Sequence, residues 1–181
     1  MPDWPNLNGS GTRSIVSTYG PECIGGELSF GDLATSETTA WPSANLGQYL
    51  PFTINQVQTI YYIRCQNGGA VAGTIDVGIY DADGNRIVTM GATTMAGTSA
   101  VQDFNIPDTV LQPGVYYMAM SMSDTATARV RGWPMTAGAN TSASGCLQQA
   151  SVATLPSPTA TFAASTSTFV PLMALMGRAG A

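Results

Sequence analysis

The sharpest chemical signal in the chain is the run Tyr80-Asp81-Ala82-Asp83-Gly84-Asn85-Arg86. Two carboxylates spaced by one residue and followed by glycine match the start of a calcium-binding loop, where alternate side chains supply hard oxygen ligands. Such a loop also needs a bidentate Glu six residues after its glycine, and a helix on either side. Position 90 is Met, and no helical pattern flanks the run. A hairpin turn accounts for it better, because Asp-Gly and Gly-Asn supply the positive φ that tight hairpins demand. No metal is expected here. Of the other carboxylates, Asp103, Asp108 and Asp124 fall near strand ends. Nothing marks two of them as facing each other across a cleft, as glycoside hydrolysis requires.

The remaining chemistry is narrowed by what is missing. The 181 residues include no His, and all six basic residues are Arg: Arg13, Arg64, Arg86, Arg129, Arg131 and Arg178. Without imidazole there is no Ser-His-Asp triad, no Cys-His pair, no HExxH zinc site and no imidazole proton shuttle. Neither G-x-S-x-G nor a phosphate-binding loop is present. The sequence therefore reads as a non-enzyme without a cofactor. Eleven acidic residues give a net charge of -5, which argues against binding nucleic acid through its phosphates. Charged residues make up 9% of the chain, against roughly 25% in an ordinary soluble domain. Arg64, Arg129 and Arg131 fall on polar strand faces, where they are either solvated or paired with acids of a neighbouring subunit.

Cys23, Cys65 and Cys146 are odd in number and include no C-x-x-C pair. One disulfide plus a thiol fits, but three buried free thiols fit better. Trp41, Trp133, Tyr19, Tyr49, Tyr61, Tyr62, Tyr116 and Tyr117 offer ring faces that could stack on a sugar. Core and interface packing accounts for most of them. Trp133, before Pro134 at a strand end, is the best exposed candidate.

These residues are set on short strands. Residues 1–40 are punctuated throughout by Gly, Pro and Asn, so they read as an irregular N-terminal arm. Its apolar pieces, Trp4, Ile15, Val16, Leu28 and Phe30, are suited to docking on a surface or adding a strand to one. The body, 41–181, alternates. One strand lies over 48–54 with Leu50, Phe52 and Ile54 on one face, and its Pro51 argues for an edge or a bulge. Others lie over 59–65, over 73–80 with Ile75, Val77 and Ile79 aligned, and over 86–90. A strand over 101–106 is closed by Pro107-Asp108. The next, over 114–123, aligns Tyr116, Met118, Met120 and Met122, and 127–133 alternates Arg129 and Arg131 with Ala128 and Val130. A Ser/Thr/Ala/Gly stretch from 136 to 168 is too long for a plain turn, so it carries an irregular strand and a surface loop. A final apolar strand covers 169–176. Phe52, Ile54, Ile63, Ile75, Val77, Ile79, Phe104, Tyr116, Met118, Met120 and Leu172 are the expected core.

About eight strands without intervening helices predict an all-β fold, an antiparallel, jelly-roll-like β-sandwich. The start, Met1-Pro2-Asp3-Trp4-Pro5, lacks a signal peptide's charged and apolar regions. The longest apolar run is about half of what a membrane helix needs, so no membrane partner is expected.

Four phrases carry a resemblance: Trp41-Pro42-Ser43-Ala44-Asn45 with Tyr49-Leu50-Pro51-Phe52, Val77-Gly78-Ile79-Tyr80-Asp81-Ala82-Asp83-Gly84, Pro113-Gly114-Val115-Tyr116-Tyr117-Met118-Ala119-Met120, and Phe169-Val170-Pro171-Leu172-Met173-Ala174-Leu175. Over 41–178 the chain resembles a family of small tailed-phage virion proteins with a jelly-roll-like body, of decoration or fibre type. The resemblance implies a structural role in a virion and synthesis in the host cytoplasm. The implied partners are its own copies, with a trimer the best guess, and other virion proteins such as the major capsid protein. The resemblance carries over no binding residue; from the residues themselves, the arm pieces named above are expected to attach it, and Arg129, Arg131 and Trp133 to lie between subunits. A carbohydrate-binding module that recognises a surface glycan of the host is the alternative, since both are built from the same strand-turn-strand phrases.

Overall fold

The computed structural model describes residues 14–19, 37–125, 129–134 and 144–179. Every regular element named among them is a β-strand. In chain order these are β1 (Ser14–Tyr19), β2 (Glu37–Ala40), β3 (Leu46–Ile54), β4 (Gln58–Gln66), β5 (Thr74–Asp81), β6 (Arg86–Thr89) and β7 (Thr93–Thr94). There follow β8 (Val101–Leu111), β9 (Gly114–Met122), β10 (Arg129–Pro134), β11 (Leu147–Gln149), β12 (Ala163–Ala164), β13 (Phe169–Pro171) and β14 (Met173–Ala179). They form a seven-stranded sheet in the order β12-β11-β3-β9-β5-β6 with β7 beside β5, a four-stranded sheet β1-β14-β4-β8, and a three-stranded sheet β13-β10-β2. The strand pairs are antiparallel, as the absence of helical crossovers predicts.

Alternation sets the core. Leu50, Phe52 and Ile54 on β3, Ile75, Val77 and Ile79 on β5, and Met118, Met120 and Met122 on β9 project from one face of the large sheet. They join Ile60, Ile63 and Cys65 on β4, Phe104, Ile106 and Leu111 on β8, and Met173 and Leu175 on β14 in one apolar cluster. Of the expected core residues only Tyr116 is partly exposed; it packs on the cluster's margin, stacked at 5.7 Å on Phe52.

The other face of the large sheet is also covered, which alternation alone does not reveal. The segment 144–168 lies across it. Small residues let it approach: a Cβ on Gly47 would meet Val152 at 2.9 Å, and one on Gly78 would meet Leu155 at 3.1 Å. Tyr49, Tyr80, Ala119, Leu155 and Ala160 form a second cluster there, with Tyr117, Leu147 and Phe162 packed against it. Polar ties fix the segment. Tyr80 Oη donates to Pro156 O at 2.7 Å, and Ser121 Oγ to Val152 O at 2.5 Å. Asp76, 1% exposed, accepts from Thr89 Oγ1 through Oδ1 and from Leu155 N through Oδ2. The expected irregular strand in this stretch is realised as β11 and β12, but much of the expected surface loop is a cover.

Two prolines behave differently from expectation. β8 does not close at Pro107-Asp108 but runs on to Leu111. The β4–β8 register shifts here, from Ile60↔Thr109 to Tyr62↔Asn105, so 106–108 sit in an irregularity where the missing N–H of proline matters little. Pro51 lies on a strand interior to its sheet, not on an outer edge. Strand β11 pairs only with Gly47, Gln48 and Tyr49, so Pro51 lies past its end and faces Tyr117 on the other side.

Candidate functional site

Of the residues marked in the sequence for attachment or subunit contact, the described ones, Ile15, Val16, Arg129, Arg131 and Trp133, lie on strands that pair with one segment, 169–179. Here β13 and β14 follow each other through Leu172, which is fully buried and whose N–H donates to Arg131 O at 2.8 Å. Strand β13 pairs with β10 through Gly132↔Pro171, Trp133↔Val170 and Pro134↔Phe169. Strand β14 is paired on both sides, with β4 through Leu175↔Ile63 and with β1 through Leu175↔Ser17. Met173, Ala174, Leu175, Met176 and Gly177 are all buried. An apolar strand of this kind needs a neighbour on each edge, since an unpaired one would leave backbone N–H and C=O groups beside a dry surface.

Of the two described pieces of the arm, β1 supplies one such neighbour, and β2 pairs instead with β10, the strand beside β13. Ile15 lies on β1 opposite Met176, and Val16 falls at the irregularity between Ile15 and Ser17. Strand β2 pairs with β10, placing Thr38 opposite Arg131 and Ala40 opposite Arg129. The structure thus brings Arg129, Arg131 and Trp133 onto one strand, flanked by the arm on one side and β13 on the other. Ile15 and Val16 lie in a different sheet. Trp4, Leu28, Phe30 and Cys23 lie outside the described residues, as do the side chains of Ile15, Val16, Arg129 and Trp133.

The edges differ in chemistry. An exposed strand edge is a template for further pairing unless it is short, charged or interrupted by proline. Strand β2 is four residues long and carries Glu37. Strand β6 is equally short and starts at Arg86, β13 ends on Pro171, and β12 has two residues. Strand β8 is long but carries Asp103, Pro107 and Asp108. Strand β1, Ser-Ile-Val-Ser-Thr-Tyr, has neither charge nor proline. Of these six, it alone combines length with an unprotected sequence, its only irregularity being the one at Ile15.

Two residues that the sequence reading did not single out hold the site together. Gly132 lets β10 approach β13 closely: an added Cβ would clash with the Val170 carbonyl oxygen and the Phe169 ring. Asn67 bridges to Val130 and so ties β10 to the end of β4. Its Nδ2 donates to Ala96 O at 2.7 Å and to Gln102 Oε1 at 2.9 Å, which fixes the adjoining loop. A mid-strand glycine is a readable hint of close backbone approach; the role of Asn67 has no local signature.

Other candidates take structural places. Arg64 faces Asp103 across the β4–β8 pair and binds it with two hydrogen bonds, Nε to Oδ1 at 2.6 Å and Nη2 to Oδ2 at 2.8 Å. It pairs within its own chain, because the register sets an acid directly opposite; the Asp103 hydrogen bonds raise its pKa further above the ordinary arginine value. Trp41 and Tyr49 are buried, so neither presents a ring face to a sugar. Trp41 Nε1 donates to Leu46 O at 2.8 Å and closes the turn that leads from β2 into the body. Asp81 and Asp83 fall in the β5–β6 hairpin: Asp81 Oδ1 accepts from the N–H of Asp83 and of Asn85, and Oδ2 from Asn85 Nδ2. Cys65 and Cys146 are buried free thiols, with Cys146 Sγ 3.8 Å from Gln48 Oε1.

Comparison with protein-family models, with curated proteins and with solved structures finds no match to this chain.

Proposed function

We propose that this protein is a structural, non-catalytic subunit that assembles on a tailed-phage virion, as a head decoration or short fibre protein, with a jelly-roll-like β-sandwich body. The observation that carries the reading is the use of the arm. Its two described strands complete the edges of two different sheets: β1 pairs with β14, and β2 pairs with β10, the strand beside β13. A chain stitched together by edge strands is suited to binding others by the same backbone pairing. The low charge agrees with this, since copies repel each other little. The partners are its own copies, in a closed ring for which a trimer is the best guess, and a particle protein such as the major capsid protein. The glycan-binding alternative loses two of its proposed stacking rings, Trp41 and Tyr49, to the interior.

Sedimentation equilibrium at micromolar concentration tests self-assembly. The expected species has a multiple of the 18.7 kDa chain mass. A monomer at every concentration would reject assembly in solution. The particle assignment is tested by protein mass spectrometry of purified virions from cells that carry the gene, in which the chain should be a stoichiometric component.

A further inference from the structure

We propose that β1 is an exchanged strand: in the assembled protein, Ser14–Tyr19 of one copy pairs with Met173–Ala179 of the next. This rests on the assembly reading and specifies its mechanism. The β1–β14 ladder is a backbone pairing between a terminal sheet strand and a strand buried on both faces. Strand β14 requires that neighbour, but the chemistry of the pairing does not depend on which copy supplies it.

Three features make β1 the strand that exchanges. It stands at the end of its sheet, so its transfer leaves the β14–β4 and β4–β8 pairings in place. Its ladder is broken between Ile15 and Ser17, opposite Met176 and Leu175, one position from where β14 also shifts register against β4, between Met176 and Gly177. The irregularity shortens the continuous run of hydrogen bonds that must open. Finally, β1 is joined to β2 by positions 20–36, which include Gly20, Pro21, Gly25, Gly26 and Gly31. A connection of that length spans roughly 55 Å when extended, enough to reach an adjacent copy of a domain this size.

Exchange also solves a symmetry problem. Pairing of one edge with the same edge of a second copy gives a two-fold dimer and stops there. Donation of β1 to the β14 of the next copy is head-to-tail, so it closes into a ring of three as readily as of two. The absence of charge and proline from β1 suits a strand that has to leave one sheet and enter another.

The register provides the test. Thr18 and Ala174 are directly paired, and Cα atoms of directly opposed residues lie within disulfide range. In a Cys23→Ser background, a tagged chain carrying Thr18→Cys is co-expressed with an untagged chain carrying Ala174→Cys, and the purified protein is oxidised with copper phenanthroline. A covalent heterodimer that dithiothreitol dissolves is the expected product. The chain carrying both substitutions, oxidised alone, should give covalent dimers and trimers. If the double variant closes only within single chains, or if no disulfide forms in either experiment, the exchange is refuted. Sedimentation of the same samples separates the two ideas. Oligomers with only intrachain disulfides would sink the exchange and leave assembly standing, whereas monomers throughout would sink both.

Discussion

The carboxylate of Asp76 accepts the backbone N–H of Leu155, 79 positions later in the chain, at 2.9 Å. Its other oxygen accepts the Thr89 hydroxyl at 2.5 Å. A buried carboxylate is costly unless its oxygens are satisfied, and here the covering segment supplies one of the donors. Asp76→Ala would leave the Leu155 N–H unpaired in an apolar setting. The expected loss is about 3 kcal/mol in unfolding free energy, with a smaller loss for Asp76→Asn, which keeps one acceptor. Urea denaturation of both variants measures it, and equal losses would show that the oxygens do not have these separate duties.

Gly132 makes a sharper steric prediction. Its neighbours, the Val170 carbonyl oxygen and the Phe169 ring, occupy the space that a methyl group would need. A backbone oxygen held in a ladder cannot swing aside as a flexible side chain can. Gly132→Ala should separate β10 from β13 and destabilise by about 3 kcal/mol or more. A change below about 1 kcal/mol would mean that the strands adjust freely.

The thiols predict a pH dependence. Burial pushes both Cys65 and Cys146 up to about 12, with Asp103 adding to the rise at Cys65 and hydrogen bonds from Ser165 and Tyr49 opposing it at Cys146. In the unfolded chain a thiol ionises near 8.5, so between about pH 8.5 and 12 the unfolded state has already lost protons that the folded state retains. Stability should therefore be insensitive to these groups below about pH 8 and fall as pH rises above it. Tyr49 and Tyr80, also raised mainly by burial, extend the fall to higher pH. Melting temperatures from pH 7 to 10 test the sign. At pH 8 both native thiols are buried and held in the protonated form, so both cysteines should resist maleimide until the protein unfolds.

Asp81 anchors the hairpin. Burial raises its pKa, but hydrogen bonds from Asn85, Asp83 and Gly84 together outweigh this and hold it below the usual carboxylate value. A depressed carboxyl contributes stability that is present above about pH 4 and lost as pH falls through its folded value. Asp81→Ala should cost about 1 kcal/mol at pH 7, and the gap from the unsubstituted protein should close in acid. Millimolar calcium should leave the melting temperature unchanged. A large rise with calcium, lost in Asp83→Ala, would restore the metal reading.

The strands that face the main cluster were legible because they alternate. Ile75, Val77 and Ile79, or Met118 and Met120, point one way whatever covers the opposite side. That opposite side was not legible. Gly78 and Ala119 fall on the alternate face with no bulk to announce a partner, and 144–168 lies within the stretch expected to hold an irregular strand and a surface loop, since neither has an apolar period. Their burial exists only when the two meet. The close of a strand at Pro107 failed for a related reason: the proline rule concerns ladder hydrogen bonds, and a register shift removes the demand for one there. At the candidate site the apolar character of 169–176 was plain, but its pairing with Ser14–Tyr19 joins distant parts of the chain and leaves no trace in local sequence.

The place of β14 between β1 and β4 also governs how fast the protein reaches its native state. Its ladders join Gln58 to Ala179 and Ser14 to Gly177, so the four-stranded sheet cannot close until loops spanning most of the chain have formed. Loop entropy of that size has to be overcome before any hydrogen bond rewards it. The β5–β6 hairpin and the β4–β8 pair join parts of the chain much nearer in sequence and should form earlier, leaving the other edge of β4 bare in the interval. Refolding from urea is therefore expected to be slow, in the range of milliseconds to seconds or beyond. Its yield should fall as concentration rises, because the bare β4 edge of one chain can capture the apolar 173–177 stretch of another. Stopped-flow refolding across a concentration series would show this, and a fast phase with full, concentration-independent yield would contradict it.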